Sequence, residues 1–307
     1  MQITKREVAR DIREYHYESR DKVVTPVLVL TKTSDEELEW AVLLILVGEG
    51  QEINNGENSG LAQWNTALNR SYNDWEVVCP DKLVDIFEDD HPVTSNDNLN
   101  LNTTLRSYLA SDVSKFVNHI IEGDINGAKS LSDSILAAGF SMYVTRDLNA
   151  AKNYCINRYT GNENKRYGLM ASSKAYNLST YRMKPQFQPD VAAWFNRTPS
   201  EAGSCCQLAV MVSEFDCQGL EVDMPIVGWG TDMLWDGSDW SKFKENESAD
   251  SDANTYRINS YRVLLTRGRD GFIAFVPDET RFDSTYKALL KQTSSNSEMS
   301  FVLNWLS

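Results

Sequence analysis

The segment Asn259–Pro277 reads NSYRVLLTRGRDGFIAFVP and joins an arginine-bearing helix, a glycine break and an apolar strand. One buried helical stripe is predicted, because apolar residues recur at helical spacing: Ile258, Tyr261, Leu264 and Leu265. Gly268 and Gly271 are expected to end the helix. The stretch FIAFV that follows has no polar residue, which is typical of a strand buried on both faces of a parallel sheet.

Three arginines accompany this helix and strand. Arg262 and Arg269 are predicted to lie two turns apart on one helix face, with Arg267 projecting elsewhere near the helix end. A guanidinium group stays charged and costs several kcal/mol to bury alone, so it needs an anionic partner. The partner is either a bound phosphate or a protein carboxylate in a structural ion pair, and the segment itself fits both.

The composition is that of an ordinary globular protein. The chain has 307 residues, of which 41% are hydrophobic and 24% charged, and it is long enough for more than one domain. A formal net charge of −14 argues against a broad electropositive surface for nucleic acid, although a local basic groove is compatible with it.

Targeting and redox features predict a cytoplasmic protein with no membrane partner. No signal-peptide pattern opens the sequence, and the longest apolar run, Trp40–Val47, is too short to span a bilayer. The five cysteines are odd in number and lack paired C-x-x-C spacing, which favours reduced thiols. With three histidines, none at ligand spacing near the cysteines, no metal site is expected.

Apolar runs of strand length alternate with amphipathic segments, which predicts an α/β fold with a largely parallel sheet. Residues 23–30 form an apolar stretch, and strands are predicted at residues 41–47, 75–79, 99–101, 140–145, 167–171, 207–213, 224–230 and 272–276. Helices are predicted at residues 5–17, 61–69, 112–122, 127–138 and 148–158. The polar residues 88–98 indicate a linker or a long loop, and the acidic, serine-rich residues 236–254 indicate a mobile surface loop.

Four clusters could carry chemistry. Gln51 follows an apolar strand and Gly48-Glu49-Gly50, where a glutamine can orient water or contact a terminal phosphate. Arg106 follows the strand predicted at 99–101, and a Gln-Gly-x-Glu segment lies between two predicted buried strands. The fourth cluster is the arginine helix. Taken singly, each also fits a polar turn, a surface arginine or a structural ion pair.

The order of these clusters resembles motifs three to six of superfamily 1 helicases. Six segments, between about residues 40 and 290, resemble one branch, the Schlafen-group-3-like DNA/RNA helicase domain. They are VGEGQEINNGENSGLAQW, LRSYLASDVSKFVNHIIEGD, YVTRDLNAAKNYC, YGLMASSKAYNL, EFDCQGLEVDMPIVGWGTDMLW and INSYRVLLTRGRDGFIAFVP.

The resemblance implies a RecA-like parallel sheet flanked by helices, the second helicase lobe, plus a remnant of the first lobe. It implies that ATP and Mg²⁺ bind between two such lobes, with DNA or RNA as the other partner. Gln51 would sense the terminal phosphate, and Arg106 and Arg267 would act on it as fingers. The remaining nucleotide-binding positions implied are Gln218, Gly219, Glu221 and Arg262.

The implied domains are an incomplete first lobe at 1–60, a connecting segment at 61–98 and a second lobe at 99–307. The sequence departs from the family pattern, because it contains no G-x-x-x-x-G-K-[ST] phosphate-binding loop and no Gly-Lys dipeptide. No DEAH-like acidic pair precedes Gly48, and Glu49 places a carboxylate where a phosphate would approach. We therefore expect ATP hydrolysis to require a partner chain that carries the P-loop lobe.

Two other interpretations stay open, a catalytically inactive binding or regulatory module and a truncated fragment. For contact with nucleic acid, Trp229 and Trp235 are the candidates, with Trp240 nearby, since aromatic rings on a second lobe can stack on bases. Packing in the core or anchoring of a loop is the alternative for each ring.

Overall fold

The computed structural model describes residue 65 and residues 76–87, 92–100, 110–183, 189–241 and 251–292. The chain divides into two compact units, Met1–Thr103 and Thr104–Ser307. The predicted elements at 5–17 and 41–47, the apolar stretch 23–30, and all but Asn65 of the helix at 61–69 lie outside the described residues.

In the first unit, strand β1 (Val77–Cys79) pairs in parallel with β2 (Val93–Ser95). A 3-10 turn (Asp81–Leu83) and helix α1 (Val84–Phe87) lie between them. Together these elements bury a small apolar cluster, formed by Cys79, Leu83 and Phe87 with Val77, Val84, Ile86 and Val93 packed against it. The strand predicted at 75–79 is confirmed.

Two predictions in this unit are wrong. The segment 88–98, predicted as a linker or a long loop, contains β2, because Val93 packs on the apolar cluster. Leu99 does not begin a strand but ends a 3-10 turn (Asp97–Leu99). The Asn96 side chain accepts from the backbone N–H of Asn98 at 3.1 Å and starts this turn, as asparagine commonly does.

The second unit alternates helices with strands. Its elements are α2 (Ala110–Glu122), α3 (Ile125–Ala137), β3 (Ser141–Thr145), α4 (Leu148–Arg158), β4 (Tyr167–Ala171), α5 (Val191–Asn196), β5 (Met211–Val212), β6 (Met224–Gly228), β7 (Leu234–Trp235), β8 (Trp240–Ser241), α6 (Ser251–Leu265), β9 (Gly271–Phe275) and α7 (Asp283–Gln292). Three 3-10 turns lie at Tyr176–Tyr181, Cys205–Gln207 and Thr280–Phe282.

Five of these strands form one sheet in the order β3-β9-β6-β4-β5, and every pairing is parallel. All residues of β4, β6 and β9 are buried, so helices and loops cover both sheet faces. The predicted α/β class is confirmed, and the helix-flanked parallel sheet is consistent with a RecA-like fold.

Aspartates fix where several helices begin. The Asp147 carboxylate accepts from the N–H groups of Asn149 (2.8 Å) and Ala150 (3.1 Å) at the start of α4. Asp124 and Asp190 cap α3 and α5 in the same way, each at 2.9 Å. A side-chain oxygen at this position satisfies an N–H group that has no partner within the helix. The predicted bounds of α4 are confirmed residue for residue.

The strand predicted at 207–213 is much shorter in the structure. Ser204 caps the 3-10 turn Cys205–Gln207, and Leu208 then adopts a left-handed backbone with φ of 51°. A leucine in this region cannot continue an extended chain. Strand β5 therefore contains only Met211 and Val212.

The predicted loop at 236–254 also contains regular structure. Trp240 begins β8, is 2% exposed, and donates its indole N–H to the carbonyl of Ile120 at 2.7 Å. One buried tryptophan thus anchors a segment whose composition is otherwise that of a loop. Helix α6 begins within the same stretch, at Ser251, and residues 242–250 lie outside the described part.

Helix α6 confirms the buried stripe but not the placement of the arginines. Tyr261, Leu264 and Leu265 are buried, and the helix ends at Leu265, before Gly268. Arg269 therefore lies beyond the helix, so the prediction that it shares a helix face with Arg262 is wrong. Within the described residues, no helix has the length and apolar character needed to cross a membrane. All five cysteines are buried free thiols.

Candidate functional site

Two predicted site residues, Gln51 and Arg106, lie outside the described residues. The other seven lie in the second unit. The structure brings Gln218, Gly219, Glu221 and Arg267 together and places Arg262, Trp229 and Trp235 elsewhere.

The chain segments that lead into β6 and β9 are joined by backbone hydrogen bonds. Val222 and Gly268 form a parallel β-bridge. The N–H of Val222 donates to the carbonyl of Arg267 at 2.9 Å, and the N–H of Arg269 donates to the carbonyl of Val222 at 2.9 Å. We call these joined segments, residues 218–223 and 267–270, the amino edge, because they lie where β6 and β9 begin.

Arg267 is enclosed by its own unit, at 2% exposure. Its Nε donates to the Val263 carbonyl at 2.9 Å, and one terminal nitrogen donates to the Leu220 carbonyl at 3.3 Å. The other terminal nitrogen donates to the Thr266 hydroxyl at 3.3 Å. The guanidinium therefore ties the end of α6 to the 218–223 segment.

The solvent side of the amino edge carries an exposed ion pair. Arg269 and Glu221 lie 3.5 Å apart, with side-chain exposures of 51% and 20%. Gln218 is exposed, and Gly219 has a φ of 83° with open space where a side chain would stand. An anionic group that approaches this turn meets backbone without steric hindrance, beside an arginine that can exchange a carboxylate for a phosphate.

A charge network that was not predicted from the sequence joins the two segments of the amino edge. Lys165 donates to Asp223 at 2.9 Å and to Asp270 at 2.7 Å. Burial alone would lower the pKa of Lys165, but these hydrogen bonds outweigh it and raise the pKa above the ordinary value. Asp223 also accepts from the N–H of Arg166 at 2.7 Å, and Asp270 accepts from the Tyr159 hydroxyl at 3.0 Å.

The sequence holds one signal for this network. Asp223 immediately precedes β6 and Asp270 immediately precedes β9, and these strands are neighbours in the sheet. Two carboxylates at equivalent positions of neighbouring parallel strands repel each other unless they share a cation. Lys165, two residues before β4, supplies this cation. Within the described ranges, no His, Cys, Asp or Glu cluster of three or more could hold a metal ion.

Arg262 lies on α6, where its Nε donates to the Asn118 side chain of α2 at 3.0 Å, and a terminal nitrogen donates to Asn259. These contacts fasten two helices together. They do not involve any residue of the amino edge.

Trp229 and Trp235 lie in the core, at 0% and 7% exposure. The Trp229 ring packs on Tyr261 at 4.5 Å and on Trp240 at 5.2 Å between centroids, and Trp235 meets Trp240 at 5.1 Å. The Trp229 indole N–H donates to the Met233 carbonyl at 2.6 Å. Neither ring can stack on a base without dismantling this cluster, so the core-packing alternative describes both.

The family model that matches the chain is described as "Schlafen group 3, DNA/RNA helicase domain" and covers residues 29–278. The match includes both segments of the amino edge. No curated protein and no solved structure shows significant similarity to the chain. Since the matched residues make up well over half of the sequence, the chain belongs to the Schlafen group 3 DNA/RNA helicase domain family.

Proposed function

We propose that residues 99–307 act as the second lobe of an ATP-dependent DNA or RNA motor, whose P-loop lobe is supplied by a partner chain. The observation that carries this proposal is the joining of the 218–223 and 267–270 segments at the amino edge. Family resemblance assigns both segments to the nucleotide, and the fold makes them one surface.

The residues of the amino edge fit an anionic ligand. Arg269 is half exposed, Gly219 leaves open space, and Glu221 could accept a hydrogen bond from a ribose hydroxyl. Bound ATP would supply the phosphoryl group and Mg²⁺ would neutralise part of its charge. In this chain, Arg267 and Arg269 would stabilise charge that develops on that group.

A second candidate function is a catalytically inactive binding or regulatory module. The enclosure of Arg267 favours it, since three of its hydrogen bonds go to neutral oxygens of its own unit. In that case Arg267 serves as a brace for the fold, and the former nucleotide surface is free for other interactions.

ATP hydrolysis separates the two functions. Turnover is measured for the chain alone, and together with the product of an adjacent open reading frame that carries a G-x-x-x-x-G-K-[ST] lobe. If the chain is one half of a motor, ATP hydrolysis should occur only in the mixture, and single-stranded nucleic acid should stimulate it. Hydrolysis by the chain alone would refute the need for a partner. A mixture that binds nucleic acid but never hydrolyses ATP would favour the inactive module.

Two matched arginine variants test whether ATP hydrolysis depends on the amino edge. Arg269→Ala and Arg281→Ala each remove a side chain that is 51% exposed and paired with one glutamate, but only Arg269 lies at the amino edge. We expect Arg281→Ala to leave turnover unchanged and Arg269→Ala to lower it. Arg267→Ala should lower turnover by about 10³-fold or more if Arg267 is a finger. If it is only a brace, Arg267→Ala should lower the melting temperature while folded protein keeps its turnover.

A further inference from the structure

Two aromatic rings outside the amino edge are exposed on the second unit. Tyr176 is 65% exposed and Phe215 is 45% exposed. Among the described residues of this unit, Ile156 is the one other large apolar side chain in this exposed class, at 45%. A single exposed apolar side chain is ordinary in a folded protein, so these two rings are informative only through the place that they share in the fold.

Both rings follow the carboxyl ends of neighbouring strands. Tyr176 comes after β4, which ends at Ala171, and Phe215 comes after β5, which ends at Val212. The two strands pair in parallel, with Met170 opposite Val212. The rings therefore rise from adjacent loops at one edge of the sheet.

Glu214 fastens these two loops to each other. Its carboxylate is 1% exposed and accepts from the N–H of Ser173 at 2.7 Å and from the Ser173 hydroxyl at 3.0 Å. The Ser260 hydroxyl of α6 lies 3.0 Å from the same carboxylate. Because Glu214 precedes Phe215 and Ser173 lies three residues before Tyr176, one buried carboxylate positions both ring-bearing loops.

Each ring also lies in a closed turn. The N–H and hydroxyl of Ser213 donate to Asp216 at 2.8 and 2.7 Å, which closes the turn around Phe215. The N–H of Thr231 donates to the side chain of Asn177 at 3.0 Å, which fixes the 3-10 turn that begins at Tyr176. The rings are thus presented by fixed loops, and binding on them requires little ordering.

Positive charge accompanies Tyr176 although the chain as a whole is acidic, whereas the carboxylates of Glu214 and Asp216 beside Phe215 are held in hydrogen bonds. Lys174 and Arg182 are exposed on the two sides of the Tyr176–Tyr181 turn. Lys152 of α4 lies near Arg182, since burial and the charge of Arg182 both lower the pKa of Lys152. Cations beside exposed aromatic rings match the phosphates and bases of a single strand.

We propose that Tyr176 and Phe215 form a stacking surface for the bases of single-stranded nucleic acid at the carboxyl edge of β4 and β5. This inference deepens the proposed function and rests on it for the expectation that a strand is bound. It replaces Trp229 and Trp235, which are buried, as the aromatic contacts.

Fluorescence anisotropy with a short labelled oligothymidine tests the surface in the full chain. Stacking on an aromatic ring is sequence-tolerant, and each alanine substitution is expected to weaken binding by about 5-fold to 150-fold. Tyr176→Ala and Phe215→Ala should each show this loss, while Tyr176→Phe keeps the affinity. Val78→Ala is the control, because its side chain is 49% exposed but belongs to β1 of the first unit. Ultraviolet crosslinking of thymine to peptides that contain Tyr176 or Phe215 provides a second readout.

Three outcomes would overturn the stacking surface. In the first, the unmodified chain does not bind the oligothymidine. In the second, a folded Tyr176→Ala/Phe215→Ala variant binds it as well as the unmodified chain does. In the third, the variants alter self-association of the chain and leave strand binding unchanged. If strand binding depends on the rings but no mixture hydrolyses ATP, the stacking surface stands and the motor function fails. With the two exposed cations, the logarithm of affinity should fall with the logarithm of salt concentration with a slope of about −1.4.

Discussion

Replacing Lys165 by methionine tests the network that holds the amino edge. The substitution keeps the length of the side chain but removes the cation that Asp223 and Asp270 share. Asp223 is 4% exposed at its side chain, and Asp270 is 27% exposed. The two carboxylates would then face each other with only the N–H of Arg166 and the hydroxyl of Tyr159 as donors.

The magnitude follows from burial. Removing one partner of a fully buried ion pair destabilises a protein by about 3–5 kcal/mol. The Lys165 side chain is 31% exposed, so water screens part of this interaction, and we expect a loss of about 2–4 kcal/mol. For a unit of 150–250 residues, each kcal/mol corresponds to about 2–4 °C in melting temperature.

Urea unfolding followed by fluorescence measures this loss, with Lys152→Met as the matched control. Lys152 is a half-buried lysine of the same unit, but its pKa is lowered by burial and by the nearby charge of Arg182. Its replacement should therefore be neutral or slightly stabilising. Because the pKa of Lys165 is raised, its contribution to the free energy of unfolding should persist up to about pH 10. That contribution should be lost only as the pH rises through the pKa of Lys165 in the folded protein.

A double-mutant cycle decides whether the two acids explain the loss. In an Asp270→Asn background, Lys165→Met should cost much less, since one of the two like charges is already absent. Additive effects of Lys165→Met and Asp270→Asn would refute the shared-cation account. Equal losses for Lys165→Met and Lys152→Met would also refute it.

Two further predictions concern the backbone of the amino edge and the buried tyrosines. Gly268→Ala should destabilise the unit by more than about 3 kcal/mol, because a Cβ there collides with the backbone carbonyl of Gly271. In urea unfolding, Gly161→Ala should cost only about 1–2 kcal/mol, since its φ is 77° but its surroundings are open. Burial raises the pKa of Tyr154 and of Tyr167 to about 12, so stability that is complete below pH 10 should fall as the pH approaches 12. The difference in alkaline absorbance between the unmodified chain and a Tyr154→Phe or Tyr167→Phe variant should show each tyrosine ionising together with unfolding, and ionisation of either one near pH 10 in folded protein would contradict this.

The sequence predicts regular elements well where capping and apolar runs agree. Helix α4 has an aspartate cap before an amphipathic run, and β4 is an uninterrupted apolar segment, so their bounds are found as predicted. The β5 region fails because its apolar run suggests a longer strand, whereas Leu208 adopts a left-handed backbone. That left-handed conformation depends on the capped 3-10 turn before it, and a hydropathy pattern gives no information about such a turn.

The site is less predictable, because its decisive contacts are distant in sequence. Lys165 reaches Asp223 across 58 residues and Asp270 across 105 residues. The motif order brings Glu221 and Arg267 into one expected site, but only the fold shows that Arg267 is enclosed and Arg269 is exposed. Likewise, the sequence favours core packing or loop anchoring over a binding surface for the tryptophans, and the packing of Trp229 on Tyr261 places that ring in the core.

Amide hydrogen exchange tests most directly whether the amino edge faces a nucleotide. Exchange is compared for the chain mixed with the proposed P-loop partner, in the presence and absence of Mg²⁺ and a non-hydrolysable ATP analogue. Peptides covering residues 218–223 and 267–270 should become protected together, while α7 is unchanged. Unchanged exchange in both segments, with nucleotide bound to the mixture, would contradict the assignment of this edge to ATP.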